Sequence, residues 1–226
     1  MSHSRLNRTP VTVEEERMAE RCAQGRVIVI DDDADWRDAI ASALELEGYA
    51  WESHASALSF LSSRQPAQPA FPGPCCFLCD VRMPGMDGLE LQTRLLAETT
   101  TPFLLISGES GAREAATAFR AGALDFLTKP VALDKLLEAI DRALAVSRER
   151  RSRAEMLAEM ASRVSQLTPR ELRVVRLVVE GLTNPEIAAT MNVALRTAKL
   201  YRQRAIEKLG VSRLADLVRM ADALGI

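Results

Sequence analysis

With 226 residues, 47% of them apolar and 27% charged, the chain has the composition of a globular protein of one large or two ordinary domains. It contains no run of about 18 apolar residues, which excludes a membrane-spanning helix of ordinary kind. The polar start Met1-Ser2-His3-Ser4-Arg5 lacks a signal-peptide core, so a cytoplasmic location is expected. The net charge of −2 conceals an asymmetry: from Arg142 onward there are 16 Lys/Arg against 9 Asp/Glu, and before it 13 against 22. An acidic part followed by a basic part points to two domains, with any nucleic-acid contact made by the second.

Residues 1–25 mix Ser, Arg, Glu and Pro without a clear period and read as a mobile extension, with one short helix conceivable over 11–22. Val27-Ile28-Val29-Ile30 is a continuous apolar run, the mark of a strand buried on both faces of a parallel sheet, and it ends in Asp31-Asp32-Asp33. A helix is predicted over 34–47 and stops at Gly48. A short strand follows over 49–54, a helix over 56–63 and a Pro/Ala/Gly-rich loop over 65–74. The run Phe77-Leu78-Cys79 then ends in Asp80, directly before the turn residues Pro84, Gly85 and Gly88. A helix near 88–98, a strand over 102–107, a helix near 111–121 and a strand over 124–127 lead to Lys129-Pro130. A last helix starts near Leu133. Strands alternating with helices five times predict a doubly wound parallel sheet.

Four cysteines occur, Cys22, Cys75, Cys76 and Cys79. The Cys76-x-x-Cys79 spacing has no second pair to complete a zinc site. Residues three apart on a strand also point to opposite faces, about 10 Å apart. These cysteines read as small buried apolar residues. Asp33 and Asp35 read as solvated or capping residues, Asp87 as shaping the turn and the helix start, and His3 and His54 carry no assignment.

In such a sheet the carboxyl ends of the strands meet on one rim, where ligands bind. The rim carries Asp31 and Asp32, Asp80, Ser107 and Lys129, each set from a different predicted strand. Clustered carboxylates repel and call for a cation, and an all-oxygen, partly hydrated pocket suits Mg²⁺. A carboxylate nucleophile beside Mg²⁺ and a fixed ammonium is a phosphoryl-accepting site, with the Ser107 hydroxyl available to the incoming oxygens.

These residues resemble the receiver domain of two-component response regulators. The likeness rests on the Asp pair after an apolar strand, the D-x-x-M-P-x-M-D-G turn from Asp80 to Gly88, Ser107, and A-G-A-x-D-[FY]-x-x-K-P from Ala121 to Pro130. The resemblance implies a flavodoxin-like α/β domain of five parallel strands over 26–145, with Asp80 as phosphoacceptor. It implies Mg²⁺ held by Asp32, Asp80 and the backbone carbonyl of Arg82, with Asp31 acting through water. Lys129 would bind the phosphoryl group, Ser107 and Phe126 would switch together, and the Lys129-Pro130 bond would be cis. Phe126 in place of Tyr removes a phenolic hydrogen bond from that switch.

The helical pattern starting at Leu133 continues through the Arg148-to-Arg153 cluster. It resumes at Leu157, Met160, Val164 and Leu167 with the 3-4-3 spacing of a short coiled-coil seam. That length leaves a paired linker helix and a solvated one equally open over 146–165. Thr168-Pro169-Arg170-Glu171 is a capping box that opens a helix ending near Gly181. Asn184-Pro185 is the predicted cap of a second, short helix. A third is predicted over 195–209, ended by Gly210, and Ser212 is the predicted cap of a fourth. On the third helix Ala198, Tyr201, Ala205 and Leu209 share a core face, and Arg196, Leu200, Gln203 and Glu207 lie opposite with Lys199 beside them. Thr197, Arg204 and Lys208 form one flank. A basic helix presented by a shorter one across a tight turn is helix-turn-helix geometry.

The pattern L-T-P-R-E-x-x-V, G-x-[TS]-N-x-E-I-A, R-T-x-K and K-L-G-V resembles the LuxR-type effector domain, an all-α four-helix unit over 166–226. With the receiver it resembles a FixJ/NarL-type regulator. The resemblance implies base or groove contact with double-stranded DNA by Lys199, Leu200 and Gln203. It implies phosphate contact by Arg196, Thr197, Arg204 and Lys208, and dimerisation through the fourth helix. Ala194-Leu195 stands where the family has Ser-Pro, which removes a favourable cap. Ala198 replaces a larger Val.

The implied partners are a sensor histidine kinase, DNA, a second copy of the chain on activation and RNA polymerase. An enzyme of the haloacid-dehalogenase kind would place an acid/base Asp two residues after the nucleophile, where this chain has Arg82, so self-phosphorylation and slow dephosphorylation are the only chemistry expected. A regulator gated by protein contacts without phosphate remains the alternative.

Overall fold

The computed structural model describes residues 25–64, 73–96, 98–108 and 112–226. The possible helix over 11–22 and most of the 65–74 loop lie outside them. The chain divides into two compact units, Met1–Arg151 and Ser152–Ile226.

In the first unit the strands are β1 (Arg26–Ile30), β2 (Ala50–His54), β3 (Cys75–Asp80), β4 (Phe103–Ser107) and β5 (Asp125–Thr128). They form one parallel sheet in the order β2-β1-β3-β4-β5. The helices between them are α1 (Ala34–Leu46), α2 (Ala57–Ser63), α3 (Gly88–Leu96) and α4 (Ala112–Arg120), and α5 (Leu133–Ser165) follows β5. The central strands are apolar throughout because both sheet faces are covered. Ile28, Ile30, Phe77, Cys79, Phe103 and Leu105 point into one core with Phe60, Leu91 and Leu95. Their neighbours Val27, Val29, Cys76, Leu78, Leu104 and Ile106 point into the other with Leu44, Leu136, Ile140 and Leu144. Phe77 stacks on Phe103 at 4.4 Å and meets Phe60 edge-on at 5.3 Å. Cys76 and Cys79 thus serve opposite cores, as their spacing predicts.

Asp33 caps α1 by accepting from Trp36 N at 3.1 Å. Asp87 and Glu90 bond each other's backbone N–H groups across the start of α3. The Arg148-to-Arg153 cluster is partly engaged rather than simply solvated. Arg150 donates to the Thr100 carbonyl at 2.7 Å and Arg151 to the Gly73 carbonyl at 3.4 Å, while Ser147 Oγ accepts from Cys75 N at 3.0 Å.

The second unit packs α6 (Pro169–Val179), α7 (Asn184–Met191), α8 (Leu195–Leu209) and α9 (Leu214–Leu224) around Val174, Val178, Ile187, Ala205, Leu209 and Leu217. The Thr168/Glu171 capping box forms as predicted. Two caps fall elsewhere. Thr183, not Asn184, precedes α7, and both its N–H and hydroxyl donate to Glu186. Arg213, not Ser212, precedes α9 and makes no side-chain cap bond. Between α7 and α8 the chain turns on Asn192 at φ +52°, a left-handed conformation that Asn tolerates. Met160, Val164 and Leu167 of the proposed seam pack against this core. The spacing therefore marks a helix laid on its own bundle.

Candidate functional site

The site in the first unit forms because β1 and β3 are neighbours in register, Ile30 opposite Cys79, which brings the residues after them together. Asp31 is completely buried and Asp80 is 6% exposed. Lys129 follows β5 and reaches both: its Nζ lies 2.6 Å from Asp31 Oδ2 and 3.0 Å from Asp80 Oδ1. The other oxygen of Asp80, Oδ2, accepts from Arg82 N at 2.8 Å, and Asp31 Oδ1 accepts from Asp33 N at 2.9 Å. Arg37 donates to the Asp31 carbonyl at 2.7 Å.

Burial pushes the Asp80 carboxyl above its ordinary range, and neighbouring Asp31 adds to this, against the opposing pull of Lys129. Burial alone would lower the Lys129 ammonium, but its bonds to Asp31 and Asp80 outweigh that and raise it. A carboxylate held beside a fixed cation, with little water around it, is set up to hold an anion that arrives next to Asp80.

Gly88 explains the turn after β3. A Cβ there would lie 2.2 Å from the Asp80 carbonyl oxygen, and Gly88 N donates to the Val81 carbonyl at 2.9 Å. Only a residue without a side chain lets α3 start this close to the acidic strand end. Lys129-Pro130 is cis.

The other predicted site residues are arranged around this trio. Ser107 ends β4 fully buried, and its carbonyl accepts from Lys129 N at 2.8 Å. Phe126 is half-buried against the core that also holds Phe77. Asp32 is exposed next to Asp31, and the Arg82 side chain pairs with Glu114 at 2.9 Å. Among the described residues no group of three or more His, Cys, Asp or Glu comes close enough to hold a metal. Asp31 and Asp80 meet through Lys129 instead. The donor set is nonetheless all oxygen, with exposed Asp32 beside two buried carboxylates, which suits a hard divalent cation that keeps part of its water. Sequence reasoning missed one neighbour, half-buried Trp36, whose ring centroid lies 4.4 Å from Lys129 Nζ. An apolar residue in the first turn of α1 reads as core, and nothing in its spacing betrays a cation partner.

In the second unit, α8 buries Ala198, Ala205 and Leu209 and exposes Arg196, Lys199, Leu200, Gln203 and Arg204. Leu200 is 42% exposed, an apolar side chain on a polar face. The first turn of α8 has no side-chain cap, since Ala194 offers none. Thr197 is half-buried. Lys208 is placed apart from the rest of its predicted flank. Its Nζ bonds Glu171 Oε2 at 2.6 Å and the Gln166 carbonyl at 3.2 Å, so its donors are engaged inside the domain. Gln203 donates to Glu207 at 2.8 Å. No described helix is long and apolar enough to cross a membrane.

The comparisons agree with this division. Residues 27–141 match the family model for the response regulator receiver domain, and 165–221 that for bacterial regulatory proteins of the luxR family. The chain is 34% identical over 206 residues to the transcriptional regulatory protein FixJ of Bradyrhizobium diazoefficiens, covering 90% of this chain and 97% of that one. It is 34% identical over 192 residues to the tetrathionate response regulatory protein TtrR of Salmonella typhimurium, covering 84% and 89%. Among solved structures it is similar to the response regulator StyR, with a TM-score of 0.77 at 35% identity, covering 88% of this chain and 98% of that one. Full-length FixJ from B. japonicum gives 0.52 at 34% identity, covering 89% and 97%.

Proposed function

The chain belongs to the FixJ/NarL-type response regulators, a receiver domain followed by a LuxR-type DNA-binding domain, and we propose that phosphorylation of Asp80 controls its binding to DNA. The observation that supports this reading is the trio of Asp31, Asp80 and Lys129 at adjacent strand ends.

The phosphoryl donor is a phosphohistidine of a sensor kinase. An Asp80 carboxylate oxygen attacks phosphorus, the P–N bond breaks, and the imidazole nitrogen that leaves takes up a proton. Burial of Asp80 keeps competing water away, and Lys129 holds the carboxylate in place and then pairs with an incoming phosphoryl oxygen. Asp32, Asp80 and the Arg82 carbonyl, with Asp31 through water, would hold Mg²⁺, whose charge neutralises the phosphoryl oxygens. The Ser107 hydroxyl donates to one of them and Phe126 moves with it.

The phosphorylated state favours a dimer that presents two copies of α8 to paired half-sites, and so regulates transcription through RNA polymerase. Lys199, Leu200 and Gln203 would face the major groove, with Arg196, Thr197 and Arg204 toward phosphates. Lys208 serves the fold in this reading.

The test is dimerisation and DNA binding with Mg²⁺, with and without beryllofluoride. The expected result is that the mimic tightens both in the wild type and leaves Asp80→Asn unmoved. Equal binding by both proteins with no response would instead assign control to protein contacts.

A further inference from the structure

We propose that Trp36 is a positioning residue for the Lys129 ammonium, holding it by its ring face at the edge of the phosphoacceptor pocket. The inference rests on the assignment of Asp80 as phosphoacceptor and adds a residue to that site.

Three features place Trp36 in this role. Its ring centroid lies 4.4 Å from Lys129 Nζ, inside the range in which an indole attracts a cation. Its backbone is fixed, because Trp36 N donates to the Asp33 cap of α1 at 3.1 Å. Trp36 is half-buried at the margin of one core and lines an open groove with Ile40, Gly108, Pro130, Val131 and Leu136, so it is packed on one side and accessible on the other. Lys129 thus meets Asp31 at 2.6 Å, Asp80 at 3.0 Å and the indole face.

When a phosphoryl group arrives on Asp80, Lys129 must exchange a carboxylate for a phosphoryl oxygen. Asp31 alone would draw the ammonium toward the buried end of the pocket. The indole offers attraction without a competing hydrogen-bond acceptor, so it keeps Nζ near the mouth and leaves its N–H groups free to turn.

The test uses the full chain. Trp36 and Trp51 are the two tryptophans, so Trp51→Phe leaves Trp36 as sole reporter. In that background Lys129→Gln is expected to change Trp36 emission before any phosphate is added. Beryllofluoride with Mg²⁺ is expected to change it again, with no response in Asp80→Asn. The initial rate of Asp80 phosphorylation by acetyl phosphate is expected to stay within about twofold in Trp36→Phe and to fall roughly 5- to 30-fold in Trp36→Leu, the range of a desolvated cation–π contact. Emission indifferent to Lys129→Gln, or a folded Trp36→Leu protein phosphorylated within twofold of wild type, overturns the proposal. If Trp36→Leu does not fold, the emission measurement decides. A wild type that takes up no phosphate overturns the phosphoacceptor assignment instead, and the Lys129→Gln emission still decides whether indole and ammonium touch.

Discussion

Lys208 and Glu171 are bound to each other across the second domain: Nζ lies 2.6 Å from an oxygen of a carboxylate that is only 3% exposed. The same oxygen accepts from Thr168 N at 2.8 Å, so one atom closes a helix cap and anchors α8 to α6. Lys208→Ala is expected to destabilise the domain by about 1–2 kcal/mol, the range for a hydrogen bond to a charged group with one partner partly solvated. Thermal melting checks this.

The bond to Lys208, followed by the Thr168 N–H, holds the Glu171 carboxyl below its usual value of 4.5. A carboxyl depressed in the folded state contributes stability that is present above the unfolded value and is lost as pH falls through the folded one. The domain is therefore expected to weaken on acidification below about pH 4.5, and Glu171→Gln to flatten the dependence in that window while lowering stability at pH 7. Denaturant midpoints at pH 3 to 7 measure both.

The placement of Lys208 also separates it from its neighbours in DNA binding. Arg196→Ala and Arg204→Ala are each expected to reduce the slope of log K against log salt by about one, as for loss of a phosphate contact. Lys208→Ala, studied where the domain is folded, is expected to leave the slope unchanged. A drop of similar size in Lys208→Ala would show that its ammonium leaves Glu171 on the duplex.

Gly88→Ala puts a methyl 2.2 Å from the Asp80 carbonyl oxygen and 3.2 Å from Cys79 Sγ. Because the nearest atom is backbone, relief requires a shift of β3 or α3. The expected cost is about 1–3 kcal/mol, together with a loss of phosphoryl uptake from acetyl phosphate. A variant as stable and as active as wild type would show that the turn can move freely.

Met160 and Val164 pack on the core of their own domain. Met160→Ala and Val164→Ala are expected to destabilise it by about 1 kcal/mol each for half-buried side chains, read as a lower melting temperature, and to leave the oligomeric state unchanged. Light scattering showing a lost dimer would restore the seam to an intermolecular role.

That seam shows where sequence reading stops. A 3-4-3 spacing states that one helix face is covered and says nothing about what covers it. Lys208 is a parallel case: a helical wheel gave its direction, whereas its partner Glu171 looked fully used by the capping box. The predicted caps at Asn184 and Ser212 are each one residue off: Thr183 stands beside Asn184 as an equally good cap, and α9 starts after Arg213 although its side chain makes no cap bond, so propensity does not set that boundary. The three central strands were legible because continuous apolar runs have few other meanings at that length, whereas β2 (AWESH) and β5 (DFLT) rested on their place in the alternation of strands and helices. The meeting of Asp31, Asp80 and Lys129 was legible because each closes such a run, and parallel topology carries all the ends to one rim. Trp36 was not, since its role depends on a cation nearly a hundred residues later.

The alternation along β3 has a further use. Cys75, Cys76 and Cys79 are buried, and desolvation holds all three thiols above their ordinary range. Thiolate reagents can therefore modify them only when the strand comes away from its neighbours. The strand that ends in Asp80 thus contains its own chemical clock. The alkylation rate of these thiols reports how often β3 opens, one side of the sheet being timed by Cys76 and the other by Cys75 and Cys79.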